Sequence, residues 1–297
     1  MNVNEFSKRE IPKMAAVTGI RDVNPSRTKA LVIPREHGAW GILLVPLVTG
    51  ACVGFLRGSG MAELVQFLTA TLALFWLRTP VEILLGSSTL HAHTAEEKKI
   101  LWQATIITSS LAALPLFLLL RNGHHRGLLF IGAIAGFAFA TQACVKLFGR
   151  KMRMPAQMIG AIGLTSTAAG AYYVVTGRVD TVAYALWAAN WLFACDQIHY
   201  VQLRLRTSKV VGIRKRFLRG WAFLVGQFIM LAAVAGLAIT SHLPLAVLVA
   251  FSPIVMRGLF WVFQKQEGLD LQWLGLTELL HSITFGVLTI TSFYVPR

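Results

Sequence analysis

The sequence predicts an all-α, polytopic membrane protein with about nine transmembrane helices. Three observations carry that expectation. The 297-residue chain is 55% hydrophobic and only 14% charged, with mean hydropathy +0.61, more apolar sequence than a soluble domain of this size can cover with polar surface. Five stretches of about 19–24 residues run without a charge, enough to cross a hydrocarbon core. Four more are as long and apolar but carry ionisable residues.

Residues 1–33 are polar and mixed in charge. They lack a short apolar core followed by a small-residue cleavage site, so they read as a cytoplasmic N-terminal tail, partly disordered, rather than a signal peptide. Residues 34–297 form one transmembrane domain. Its uncharged spans are 38–56, 100–120, 127–145, 154–177 and 220–243, and its charge-interrupted spans are 62–85, 181–203, 243–263 and 271–294. At about 1.5 Å per residue each reaches across roughly 30 Å. Links at one end are short: 57–61, 121–126, 176–180 and a Pro-containing turn at 241–244. Links at the other end, 86–99, 147–154 and 204–219, are longer and more polar, and chemistry is expected there.

The net charge of +15 follows this topology. With the N-terminus cytoplasmic, the cytoplasmic side holds seven Lys/Arg through Arg35, two at Lys98–Lys99, four between Lys146 and Arg153, seven between Arg204 and Arg219, and Arg257 with Lys265. Only Arg57, Arg121, Arg126, Arg178 and Arg297 fall on the opposite side. This is the positive-inside pattern, and it removes the need for a nucleic-acid partner; membrane lipids are the expected partners. Cys52, Cys144 and Cys195 are scattered within spans and form no disulfide framework.

The informative residues are the ionisable ones inside spans: Arg78, Glu82, Asp196, Arg257 and Glu278. A charge in hydrocarbon costs at least about 2.5–3.5 kcal/mol at the centre, so such groups face a bundle interior. Arg78 and Glu82 stand one turn apart and can pair, with Pro80 between them to loosen the helix. Arg257 lies about six residues before its span ends and Glu278 about seven after its span begins, so both sit roughly 10 Å deep and are expected to pair across adjacent helices. Asp196, Tyr200 and Arg204 share a stripe at i, i+4 and i+8, with His199 at i+3; a carboxylate, an imidazole and a phenol within two turns are either proton-transfer groups or a satisfied polar network. Arg35, Glu36 and His37 open the first span, as a helix anchor or as cavity contacts. Lys146, Arg204 and Arg206 end spans where they would rim a cavity. His91 and His93 near Glu96 and Glu97 lack a zinc spacing. His199 and His281 differ in depth by about 9 Å, which opposes a bis-histidine haem.

Glu36-His37-Gly38-Ala39-Trp40 with Pro46 and Gly50, then Arg78-Thr79-Pro80, then Arg204-Leu205-Arg206, resembles the YwiC-like family of bacterial membrane proteins. The resemblance implies an integral protein of the bacterial cytoplasmic membrane and names no reaction. A fainter likeness is to the UbiA prenyltransferase superfamily. Lys146-Leu147-Phe148-Gly149-Arg150 with Met158-Ile159-Gly160 is similar to its link between the fourth and fifth helices. Asp196-Gln197-Ile198-His199-Tyr200, followed by Val211-Gly212-Ile213, is similar to its sixth-helix motif.

That likeness implies a nine-helix bundle with a cytoplasmic-facing cavity. Those enzymes hold a prenyl diphosphate through Mg²⁺ on Asp-rich motifs. Here Asp196 matches only one acid, and Leu203 to Arg206 stand where further acids belong, so no cofactor is expected and retained Mg²⁺ would rest on Asp196 and Glu82 alone. Guanidiniums in place of acids bind phosphate directly.

The expected function is therefore binding, with transfer as an extension, of an isoprenoid or lipid phosphate. Arg35, His37, Arg78, Glu82, Lys146, Arg204 and Arg206 would contact it, and Asp196, His199 and Tyr200 would move protons. The alternatives are a non-catalytic membrane scaffold and an anion transporter.

Overall fold

The computed structural model describes residues 31–32, 37–86, 88, 90–208, 210, 212–263 and 270–294. Among them the chain is helical without strands. In order come α1 (His37–Phe55), α2 (Met61–Leu84), α3 (Ala95–Leu119), α4 (His125–Leu147), α5 (Arg153–Thr165), α6 (Thr167–Thr176), α7 (Thr181–Thr207), α8 (Ile213–Ile239), α9 (Val247–Phe263) and α10 (Leu271–Ser292). α5 and α6 are one apolar span interrupted at Ser166, whose hydroxyl turns back onto the Gly163 carbonyl at 2.7 Å. The nine expected spans are thus recovered, and seven of them are long and apolar enough by themselves to cross a membrane. The exceptions are α9, which is shorter, and α7, which is the polar one.

Local chemistry sets the helix ends. Thr94 and Glu97 form a reciprocal capping box, so α3 begins at Ala95. This corrects the expected 86–99 link: Lys98 and Lys99 are helical. The link expected over 204–219 shrinks likewise, because α7 continues to Thr207 and α8 begins at Ile213. Arg216 is consequently buried, with its guanidinium donating to the Val210 and Val262 carbonyls. Asp180 caps α7 by accepting from Val182 and Ala183 N–H, and Asp270 caps α10 through Gln272 and Trp273 N–H. Gly177, at φ 71°, takes the left-handed turn that ends α6.

Small residues let the backbones approach. A Cβ at Gly50 of α1 would lie 2.0 Å from the Ala168 carbonyl oxygen of α6. Gly54, one turn on, faces the Val175 side chain, and Gly58, in the link just past α1, faces the Val175 carbonyl. The neighbours of this close pair complete the bundle: α2 packs on α3, α4 on α5, α8 on α9 and α9 on α10, and α10 returns to α1.

α7 runs through the middle, touching α1, α5, α6, α8 and α9. Residues on every side of it are buried, including Asn190, Asp196 and Gln197. Its polar side chains tie it to its neighbours: Trp187 and Trp191 donate to the Ile162 and Met158 carbonyls of α5 at 3.0 and 3.1 Å, and Asn190 reaches Thr49 of α1 at 3.3 Å. The outward faces of α3, α4, α8 and α9 carry exposed Ile, Leu and Phe, the surface a bilayer covers.

Candidate functional site

Two ion clusters interrupt the apolar packing. The first joins α2 to α4. Arg78 Nε donates to Glu82 Oε1 at 3.0 Å, and Lys146 Nζ, at the end of α4, donates to the same oxygen at 2.9 Å. Helical spacing brings Arg78 onto Glu82, as expected. Lys146 arrives by tertiary packing, 64 positions along the chain from Glu82. These side chains are 14%, 15% and 26% exposed.

The second cluster is deeper and joins α7, α8, α9 and α10. Arg257 of α9 donates through one terminal nitrogen to Glu278 of α10 and through the other to Asp196 of α7, the latter at 2.8 Å. Gln227 of α8 donates to the other Asp196 oxygen at 3.1 Å and to the Ile254 carbonyl at 3.0 Å. Gln197 donates to the Glu278 carbonyl and to Ser282, both at 2.8 Å. The Arg257 guanidinium carbon lies 3.9 Å from the centre of the Tyr200 ring, a cation–π contact, and Arg204 is hydrogen-bonded to the Tyr200 side chain. Side-chain exposures fall to 9% for Arg257, 3% for Asp196 and 11% for Glu278.

The Arg257–Glu278 pairing expected from depth is present. The structure adds Asp196 as a second partner, with Gln227 and Gln197 as supports. A signal for Asp196 existed: it precedes the expected end of its span by seven residues, the same depth of about 10 Å. The neutral glutamines carry no comparable mark.

His199, at i+3 from Asp196 on α7, stands edge-on to Phe223 of α8 at 5.2 Å and is not hydrogen-bonded to Asp196. His281 does not enter the Glu278 network; its Nδ1 lies 2.6 Å from the Thr277 carbonyl. Arg206 ends α7 near His199. His37 opens α1, and Arg35 and Glu36 lie outside the described residues.

Asp196 has both oxygens engaged by Gln227 and Arg257, and Glu82 already carries two cations. Among the described residues no group of three His, Cys, Asp or Glu is placed to hold a metal.

One cavity bears on this region. An open groove of about 540 Å³ runs between α9 and α10, lined by Pro253, Met256, Arg257, Phe260, Phe263 and His281. Arg257 Nε is buried and makes no hydrogen bond. Within hydrocarbon such an unmatched donor costs several kcal/mol.

A helical bundle with lipid-facing apolar walls, close Gly-mediated helix pairs and ion clusters turned inward is a polytopic integral membrane protein. Residues 33–173, a little under half of the chain, match the family model described as YwiC-like protein, and that stretch contains the motif beginning at Glu36. No curated protein and no solved structure matches the chain.

Proposed function

We propose that the protein binds an isoprenoid or lipid phosphate in the bacterial cytoplasmic membrane, at the end of the bundle where α2, α4 and α7 carry Arg78, Lys146, Arg204 and Arg206. That end faces the cytoplasm on the positive-inside rule. The supporting observation is the meeting of Arg78 and Lys146 on one Glu82 oxygen. The carboxylate holds two cations side by side in a fixed and partly desolvated position. A phosphate taken there needs no metal. Arg35 and His37 precede and open α1 and belong to the same reading.

The tail of such a ligand suits the apolar surfaces that surround the helix ends. A transferase reading gives proton transfer to Asp196, His199 and Tyr200. Binding without transfer fits the packing better, because Asp196 is committed to Gln227 and Arg257 and His199 stands apart from it. The same commitment favours the scaffold alternative, in which the polar groups serve packing alone.

Mass spectrometry of lipids retained by the purified protein separates these readings. The binding reading expects one phosphorylated lipid or isoprenoid to be enriched over bulk membrane, and to be lost in a Lys146→Ala/Arg204→Ala/Arg206→Ala variant that still folds. A retained-lipid profile equal to bulk membrane in both proteins overturns it in favour of the scaffold.

A further inference from the structure

We propose that Asp196 and Glu278 together hold one proton at neutral pH, so that the deep cluster is a proton-binding site inside the bundle. Its charges do not balance otherwise. Two carboxyls, from α7 and α10, meet one guanidinium, from α9. Among the described residues Arg257 is the one cation ion-paired with either acid. Fully ionised, the cluster carries one negative charge in excess, at side-chain exposures of 3% for Asp196 and 11% for Glu278. A buried charge without a counter-ion is neutralised in preference to being carried. Two carboxylates on one site also repel, and a single proton removes both the repulsion and the excess charge. Both acids answer to the same guanidinium, so the proton belongs to the pair and not to either residue.

The groups packed around the pair leave the excess in place. On α7 the Tyr200 ring lies against the Arg257 guanidinium, and Arg204 is hydrogen-bonded to the Tyr200 side chain, not paired with Asp196 or Glu278. His199 is turned to Phe223. On α8 the residue that reaches Asp196 is the neutral Gln227, while Arg216 donates to the Val210 and Val262 carbonyls. On α10 the His281 Nδ1 is at the Thr277 carbonyl, and Gln197 and Ser282 bring only neutral groups to the Glu278 backbone. α1, which packs on α7 and α10, has no ionisable side chain between Gly38 and Phe55 except Cys52. The site is separate from the basic cluster of α2 and α4 and does not depend on a phosphate ligand.

Infrared spectroscopy of the full-length protein in dodecyl maltoside, a detergent with no ester carbonyl, reads the proton directly. Carboxyls in water are ionised at neutral pH, so a carboxylic-acid C=O stretch that shifts in deuterated water reports a held proton. The expected spectrum contains this band. It is lost in Asp196→Asn and in Glu278→Gln alike, because either change leaves one carboxylate against one guanidinium, and it is kept in Glu82→Gln. Thermal unfolding at several pH values is the second readout. The proton is held in the folded state and released on unfolding, so its contribution is present at neutral pH and lost as the pH rises. Between about pH 7 and about pH 9.5, below the range of Lys and Tyr, the ratio of folded to unfolded wild type falls by up to about tenfold per pH unit, the limit for one proton. Both variants lack this part of the slope. The proposal is overturned by a wild-type spectrum without the band, by a band that survives both variants, by its loss in only one of them, by an equal slope in all three proteins, or by failure of both variants to fold, since relief of an excess charge does not cost stability.

Discussion

At Arg78–Glu82–Lys146 two cations meet one carboxylate at side-chain exposures of 14–26%, while at Asp196–Arg257–Glu278 one cation meets two carboxylates at 3–11%. Both are built from cations on carboxylates, and depth gives them different work. In the deep cluster water does not screen the charges, and every partner missing from the set leaves a charge exposed to low dielectric. It ties four helices together. In the shallow cluster solvent can replace a lost partner, so the ion pairs contribute little to stability and serve to position cations.

The largest expected effect is therefore at the centre of the deep cluster. Arg257→Met preserves bulk but leaves Asp196 and Glu278 without their cation. Breaking a buried pair in this way costs about 3–5 kcal/mol, read as loss of folded protein on size exclusion or a steep fall in the thermal midpoint in detergent. The comparison sharpens with the triple variant Arg257→Met/Asp196→Asn/Glu278→Gln, which neutralises all three groups. It is expected to regain most of the lost stability, since an uncharged set of similar volume carries no uncompensated charge. A triple variant as unstable as the single one would show that hydrogen-bond geometry, rather than charge balance, holds these helices.

A smaller loss, about 1–3 kcal/mol, is expected from Gln227→Leu, which removes the amide that donates to both Asp196 and the Ile254 carbonyl. Thermal unfolding in detergent checks it. An unchanged midpoint would mean that Arg257 alone satisfies Asp196.

How far the sequence reveals this contrast depends on the kind of signal. Span positions are legible because a bilayer demands about twenty apolar residues in a row, and the span ends fall within a few residues of expectation except where a charged stretch continues as helix. At α3 and α8 the helix extends into Lys98–Lys99 and Arg214–Arg219, which look like loop by charge alone. The Arg257–Glu278 pair is legible because depth is linear in residue number along a helix. The joining of Lys146 to Glu82 is not, since it depends on which helices are neighbours. At Ser166 the backbone keeps helical angles, and what composition does not mark is the tertiary bond beside it, Thr167 donating to the Leu43 carbonyl at 3.0 Å. Gln197 and Gln227 are the network residues composition cannot flag, because a neutral amide inside a span looks the same whether it faces lipid headgroups or a buried carboxylate.

The smallest stability effect, and the sharpest opposition to Arg257→Met, is expected at the shallow cluster. Lys146→Ala removes one of the two cations on Glu82 but leaves Arg78 one turn away, with the carboxylate still reached by solvent. The cost is at most about 1 kcal/mol, and it shrinks in 1 M salt, where the screening length falls to about 3 Å. Lipid-phosphate retention is expected to fall in the same variant without a matching fall in thermal midpoint. If Lys146→Ala instead destabilised the protein as much as Arg257→Met, the shallow cluster would be a second structural weld, and its cations would have no work left to do on a ligand.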